Sequence, residues 1–321
     1  MKILHLNYRQ CESGQDSLYD GLCRVLGPEN VIEYPQKPSL HGGPGIAYRW
    51  YPCFFNWPEF YTDEQKIRML KENWFDVILV GCGDSTDWSI GTHRQERVKK
   101  GREEFSEMYE LAINKSKTIA TYALDMGDGS RINDHIRKEF NCLKYFKREY
   151  LEKEVGDDPG VLPFSLCLAE RYVPENIEGP RVNLPFFAGR NYGLREPYIA
   201  YYESFGRKNT RSLTQRRLNL EMLKYKIGID LLGSGEDTIR RYEIAARGEM
   251  LLCPKVIIKR ENDFTEGVSA VFYDGFEDFK EKLNYYMSHE DEVDKIRLAG
   301  RKHFLKYHTG TARAKQLIEK I

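Results

Sequence analysis

Residues 238–254 read TIRRYEIAARGEMLLCP, and this stretch decides how the C-terminal half of the chain is built. Arg240, Arg241 and Glu243 fall in the first turns of a predicted helix that stops on Gly248 and runs at once into the short apolar strand MLLCP. Asp237 and Thr238 are both competent to cap that helix, and its first-turn amides would point beyond the strand ends, as an anion site does. A diphosphate fits such a place. Glu243 sits one turn further in, where a carboxylate can accept two hydrogen bonds from a vicinal diol such as a ribose. Gly248 supplies the left-handed stop that lets the chain turn back into a sheet. The same residues also have a plain structural reading: Glu243 and Arg247 form an ordinary i,i+4 pair, the two arginines are solvated, and any tight helix-to-strand turn needs the glycine.

Working outward, the second half continues in the same style. VNLPFFAGR reads as a strand and turn, REPYIAYYESFG as a helix, MLKYKIGIDLLGSG as a helix end and strand, and VSAVFYD as a late strand. The tail from Phe276 to Ile321 is mostly helical, with apolar residues at spacings of three and four. The first half alternates apolar runs with amphipathic stretches, which marks βαβ units and a mainly parallel sheet. KILHLNY opens it, a helix follows from about Asp16, and VIEYP, FDVILVGCGD, TIATYALDMGDG, CLKYFKREY and VLPFSLCL supply further strands. Residues 38–60, rich in Gly, Pro and aromatics, read as an irregular loop ahead of a helix at Asp63.

At 321 residues the chain exceeds the usual ceiling for one hydrophobic core. Two prolines and a glycine in YVPENIEGPRVNL break periodicity, so the expected division is 1–175 and 176–321. The fold class is α/β, with two Rossmann-like domains facing a cleft and ligands outside the carboxyl ends of the strands.

Lys+Arg (49) balances Asp+Glu (49), so no global field draws the chain to nucleic acid or to an anionic membrane. No run approaches the 18 or so apolar residues of a membrane span. The seven cysteines are scattered and form no C-x-x-C pair, which argues against a zinc site or a disulfide framework and suits a reducing cytoplasm.

The run R-x-Y-E-I-A-A-x-G-x-x-L-L and the later GFEDFKEKLNYYMSHEDEVDKIRLAGRKHFLKYHT resemble the C-terminal part of nucleotide-sugar glycosyltransferases of the GT-B fold, nearest to the spore-maturation type and the group 1 glycosyl transferases, over about 225–315. The resemblance implies that Glu243 binds the ribose of the nucleotide, with Arg240, Arg241 and Thr238 around the donor. Relatives carry a second glutamate eight positions earlier against the donor sugar; here that place is Gly235, with Glu236 one residue off. AGRNYGLRE is similar to the family's G-R-x4-K turn, whose two cations hold the donor diphosphate. Gly189, Arg190 and Arg195 stand at the matching places, the lysine being replaced by arginine with its planar fork. In the family the last helix packs back on the N-terminal domain.

The N-terminal domain would hold the acceptor. Its candidates are the polar turns GCGDSTD and DMGDGSR, with Asp84 and Asp125 as carboxylates able to act as a general base or to grip sugar hydroxyls. Such residues also serve as caps and turn formers. Asp125 and Asp128 lack an evident third ligand and the diphosphate already has cations, so no metal or other cofactor is required. The clusters RQERVKKGR (94–102) and RKNTRSLTQRR (207–217) read as solvated faces, or as contacts to an anionic acceptor.

The sequence therefore predicts a glycosyltransferase that moves a sugar from a nucleoside-diphosphate donor to a hydroxyl acceptor, retaining if it follows its relatives. Two other readings stand beside it. One is a non-catalytic relative that binds carbohydrate or nucleotide, favoured by Gly235; the other is a transferase acting on modified bases in DNA, where nucleic acid enters only as acceptor.

Overall fold

The computed structural model describes residues 1–7, 13–42, 55–82, 103, 106–191, 193–210, 213 and 215–321. The chain forms two compact units. The first comprises Met1–Ala169, Ile258–Glu261 and Gly310–Ile321, and the second Glu170–Ile257 and Asn262–Thr309.

In the first unit the apolar runs become β1 (Ile3–Leu6), β2 (Val31–Tyr34), β3 (Val77–Cys82), β4 (Ala120–Asp125), β5 (Lys144–Lys147) and β6 (Val161–Pro163). They make one parallel sheet in the order β2-β1-β3-β4-β5-β6. Its helices are α1 (Ser13–Leu26), α2 (Pro38–His41), α3 (Asp63–Lys71), α4 (Ser106–Lys115), α5 (Asp134–Glu139) and α6 (Glu152–Val155). One face of the sheet carries Leu4, Leu6, Ile32, Tyr34, Ile78 and Val80 into an apolar cluster closed by Leu70 of α3 and by Met108 and Ala112 of α4. α3 starts where its sequence says: Thr62 and Gln65 form a reciprocal capping box that satisfies two end amides. The expected irregular stretch of residues 38–60 begins instead with the short helix α2, and its residues 43–54 lie outside the described ones.

The second unit holds β7 (Val182–Phe186), β8 (Tyr225–Ile229), β9 (Met250–Pro254) and β10 (Val271–Tyr273), parallel in the order β10-β9-β8-β7. Pro185 is tolerated because β7 is an edge strand, where a missing ladder donor costs little. Around this sheet lie α7 (Glu196–Ser204), α8 (Gln215–Met222), α9 (Ile239–Ala246), α10 (Gly275–Ser288) and α11 (Glu290–Tyr307). Ile227, Ile229, Met250, Leu252 and Val271 meet Ile199, Phe279, Leu283, Val293 and Ile296 in its core.

The opening stretch is α9, Gly248 at φ 66° and β9, as its sequence predicts. The end of α9 wears a collar of cations. Arg301 donates to the Ala246 carbonyl, Arg181 Nη2 to that of Arg247 at 2.8 Å, and Arg297 Nη1 to that of Gly248 at 3.3 Å. Positive charge there complements the negative end of the helix dipole.

After α11 the chain returns to the first unit as α12 (Gly310–Ile318), which packs on α1 as the family resemblance implies. The approach is so close that a Cβ on Gly21 would stand 2.0 Å from the Gly310 carbonyl oxygen.

Candidate functional site

At the carboxyl end of β7 the chain runs through Phe187 and Ala188 into Gly189. Asn209 clamps that glycine from both sides: the Gly189 amide donates to Asn209 Oδ1 at 3.2 Å, and Asn209 Nδ2 donates to the Gly189 carbonyl at 3.0 Å. Arg190 follows, exposed. Arg195, five residues on, stands at the N-cap position of α7 and turns its fork onto backbone. Nε donates to the Leu232 carbonyl at 2.6 Å, Nη2 to Leu231 at 3.0 Å and Nη1 to Arg190 at 3.3 Å.

The loop between β8 and α9 is organised by a residue that the sequence reading missed. Asp230, directly after β8, is fully buried. Its Oδ1 accepts from Thr238 Oγ1 at 2.6 Å, its Oδ2 lies 3.9 Å from Arg241 Nε, and its carbonyl accepts from Tyr273 Oη at 2.9 Å. Burial pushes its carboxyl pKa up, against the pull of Arg241, Thr238, Arg195 and Arg240. A lone aspartate closing the apolar run KIGID was the available signal.

This changes the expected capping. Thr238 occupies the N-cap with extended backbone, φ −95° and ψ 145°, but its side chain accepts from no helix amide, and its hydroxyl donates to the buried Asp230 carboxyl. The Asp237 carboxylate accepts from Tyr242 Oη at 2.8 Å. Glu236 reaches away from the helix and accepts from the Ile257 amide at 3.0 Å, tying the loop to the turn after β9.

The two arginines of α9 are not the solvated pair of the plain reading. Arg241 is 1% exposed, donating to Asp263 Oδ1 at 3.3 Å and to the Pro254 carbonyl at 3.4 Å. Arg240 points the other way: Nη2 donates to the Ala188 carbonyl at 3.0 Å, and Nη1 lies 2.9 Å from Glu243 Oε2. Glu243, 1% exposed, has Arg247 Nη2 at 3.9 Å on its second oxygen.

Within the second unit, then, the turn of Gly189, Arg190 and Arg195 and the segment of Thr238, Arg240 and Glu243 are tied together by Arg195 on one side and Arg240 on the other. Arg241 and Glu236 face the β9 end instead.

In the first unit Asp125 closes β4. One carboxylate oxygen takes Lys147 Nζ at 2.7 Å and the Tyr145 hydroxyl, and the other accepts from the Gly127 amide at 2.9 Å. Asp125 and Lys147 are both buried, and a carboxylate so engaged organises its turn. Arg148 Nη1 holds the same turn through Asp128 Oδ1 at 2.7 Å. Asp84 and the basic cluster 94–102 lie outside the described residues. Arg207, from the second cluster, sits over the Tyr225 ring at 5.0 Å from its centroid. Among the described residues no three His, Cys, Asp or Glu side chains converge as metal ligands, and no helix is long and apolar enough to cross a membrane.

Residues 192–319 match the family described as Glycosyl transferase-like, a span that contains the whole of the resemblance read at 225–315. No curated protein matches the sequence. Among solved structures the chain is similar to a glycosyltransferase from Rickettsia africae ESF-5, with 10% identity, TM-score 0.60, and 99% of this chain and 97% of that one covered. It is similar to Anabaena HepE in complex with UDP-glucose, with 8% identity, TM-score 0.57, and 100% and 99% covered. Sucrose-phosphate synthase from Thermosynechococcus elongatus aligns with 9% identity, TM-score 0.55, and 100% and 98% covered. At these identities the likeness is one of fold. Residues 192–319 are thus similar to that family, and the chain has the GT-B fold.

Proposed function

We propose that this protein is a glycosyltransferase moving a sugar from a nucleoside-diphosphate donor, bound by residues 176–321, to a hydroxyl acceptor bound by residues 1–175. One observation carries the reading: Arg195 and Arg240 bind the β7 turn and the β8–α9 loop to each other across the carboxyl ends of the second sheet. That arrangement supports a donor site preorganised before ligand arrives. Exposed Arg190 meets the diphosphate directly, Arg195 fixes the loop and adds positive potential, and Glu243 takes the ribose once Arg240 swings aside. Thr238 and Arg241 hold the loop through Asp230, and Glu236 holds its far end.

The donor complex of HepE with UDP-glucose makes uridine the first base to try. Asp125, whose oxygens are taken by Lys147, Tyr145 and Gly127, is ill suited to act as the base that an inverting transfer needs. The described cysteines are free thiols, which fits a reducing cytoplasm.

A non-catalytic binding protein is favoured by one observation, that the Arg195 fork is spent on carbonyls rather than held open. Thermal stabilisation by uridine, guanosine, adenosine, cytidine and thymidine diphosphates separates the readings, because a ligand of the native state raises the melting point with its affinity. Stabilisation by one base, reduced in Arg190→Ala, supports the donor site. No response to any of the five makes the non-catalytic reading the better one.

A further inference from the structure

β1 carries polar side chains where strand alternation should continue the core. Leu4 and Leu6 enter the apolar cluster on one face, while His5 and Asn7 alternate to the other face, toward α1, and are 2% and 1% exposed. The Asn7 amide still donates to the Tyr34 carbonyl at 2.9 Å, so its backbone remains in the ladder. Its side chain is different: neither amide atom has a hydrogen-bond partner, and neither does either ring nitrogen of His5. Buried polar atoms in that state are uncommon and costly.

A third neutral group reaches the same level. Leu6 pairs with Val80, so Gly81 flanks Asn7 on β3, and a Cβ on Gly81 would stand 2.4 Å from Gln15 Oε1 of α1. The Tyr19 ring stacks beside His5 with centroids 6.2 Å apart.

Among the described residues the charges beside this patch pair with one another. Lys37 pairs with Asp16, and Glu33 lies 2.8 Å from His41 Nε2 and 3.6 Å from Lys66 Nζ, and accepts from Tyr19 Oη at 2.9 Å. Burial first, and Lys37 second, push the His5 pKa down to about 3, so the imidazole is neutral. The unfilled atoms of His5 and Asn7 are therefore donors and acceptors in mixture, without net charge. An anion wants donors with positive charge and a cation wants acceptors; vicinal hydroxyls, each donor and acceptor at once, match the mixture.

We propose that His5 and Asn7, with Gln15 beside them, bind the hydroxyl face of a neutral sugar ring, which makes the acceptor a neutral sugar. This rests on reading the first unit as the acceptor side. Both groups are covered, so a ligand reaches them only as overlying chain opens, and binding is read at equilibrium.

The test is calorimetric titration of the full chain with glucose and N-acetylglucosamine, against glucuronate and inorganic phosphate, in wild type and Asn7→Leu. The neutral sugars should bind wild type and weaken about tenfold or more in Asn7→Leu. The empty variant should melt at the wild-type temperature or above, since leucine removes two unpartnered polar atoms and keeps the branching and the number of heavy atoms. A lower melting point would make the amide structural and overturn the proposal, as would equal affinity in the two proteins or binding of the anions alone. Should Asn7→Leu not fold, the nitrogen resonances of His5 in wild type decide: movement with glucose and none with phosphate supports the site, and the reverse overturns it. Titration with uridine diphosphate separates the two levels. Nucleotide binding without sugar binding overturns this inference and leaves the transferase reading standing, and sugar binding without any nucleotide does the opposite.

Discussion

Arg240 Nη1 lies 2.9 Å from Glu243 Oε2, on a carboxylate whose other oxygen faces Arg247. The glutamate is thus held between two cations of its own helix, and one of them also grips the Ala188 carbonyl. Glu243→Ala would leave both guanidinium groups without their anion, at a cost of about 3 kcal/mol. Glu243→Gln keeps the shape and an acceptor and should cost about 1 kcal/mol. Urea denaturation of the two variants checks this, and wild-type stability in Glu243→Ala would remove the pair from the account of the turn.

Arg190 and Arg195 should separate by experiment. Arg190 is exposed at the surface, so Arg190→Ala should stay within about 0.5 kcal/mol of wild type in stability. On the proposed function its turnover should fall on the order of a hundredfold. Arg195→Ala removes hydrogen bonds to Leu231 and Leu232 and should lose about 1–2 kcal/mol as well as turnover. If both variants keep the wild-type rate with any donor that the protein uses, neither arginine serves the diphosphate.

The Asp125–Lys147 pair is a strong structural test, since both members are buried. Lys147→Met strands the carboxylate and should cost about 3 kcal/mol. Adding Asp125→Asn should recover part of that loss, because no charge is then stranded and the Gly127 amide can still donate to a neutral amide oxygen. Purely additive losses in a double-mutant cycle would mean that the two side chains do not act on each other.

The His41–Glu33 contact predicts a pH dependence. Burial lowers the His41 pKa, but the hydrogen bond and charge of Glu33 outweigh it and the pKa is raised. Burial raises that of Glu33, but His41 and Lys66 outweigh it and the pKa is lowered. The His41 contribution is therefore complete below its unfolded pKa of about 6.5 and lost as pH rises through the folded value. The Glu33 contribution is complete above about 4.3 and lost as pH falls through its folded value. Neutral His5 acts in the opposite sense to His41, losing stability as pH falls from about 6.5 toward its folded value. Comparing wild type with His41→Asn cancels His5. The melting point of wild type should decline more steeply than that of the variant from neutral toward alkaline pH, and parallel curves would sink the assignment.

Gly248 should resist replacement for a conformational reason. Its φ is 66°, and a Cβ there would stand 2.5 Å from Ile177 Cδ1, the movable end of a side chain. Most of the cost of Gly248→Ala is then the left-handed backbone, about 1–2 kcal/mol. Adding Ile177→Ala should recover little in a thermal melt; full recovery would show that the contact, rather than the dihedral, sets the requirement.

The elements of the site were legible because they are local. Gly248 had to be the helix stop, the apolar runs had to be strands, and the family resemblance marked Gly189 to Arg195 and Glu243 to Gly248 as the proposed donor segments. Asp230 escaped notice because one aspartate after a strand resembles any turn former until its partners are known. His5 and Asn7 escaped for a similar reason: in KILHLNY they look like the polar half of an alternating strand, and nothing local says that this half is covered by a helix.

By itself the sequence determined two parallel α/β sheets and the position of the family-like segment, since hydrophobic period, turn chemistry and glycine conformation act over a few residues. Only the tertiary structure decided where the polar groups spend their hydrogen bonds. Thr238 turned from the helix it precedes to Asp230, 8 residues away, and Asp125 turned to Lys147, 22 residues away. Arg195 turned to carbonyls 36 and 37 residues on. Buried donors and acceptors must find partners wherever the chain brings them, and that placement is set by long-range packing of the sheet rather than by neighbours in sequence.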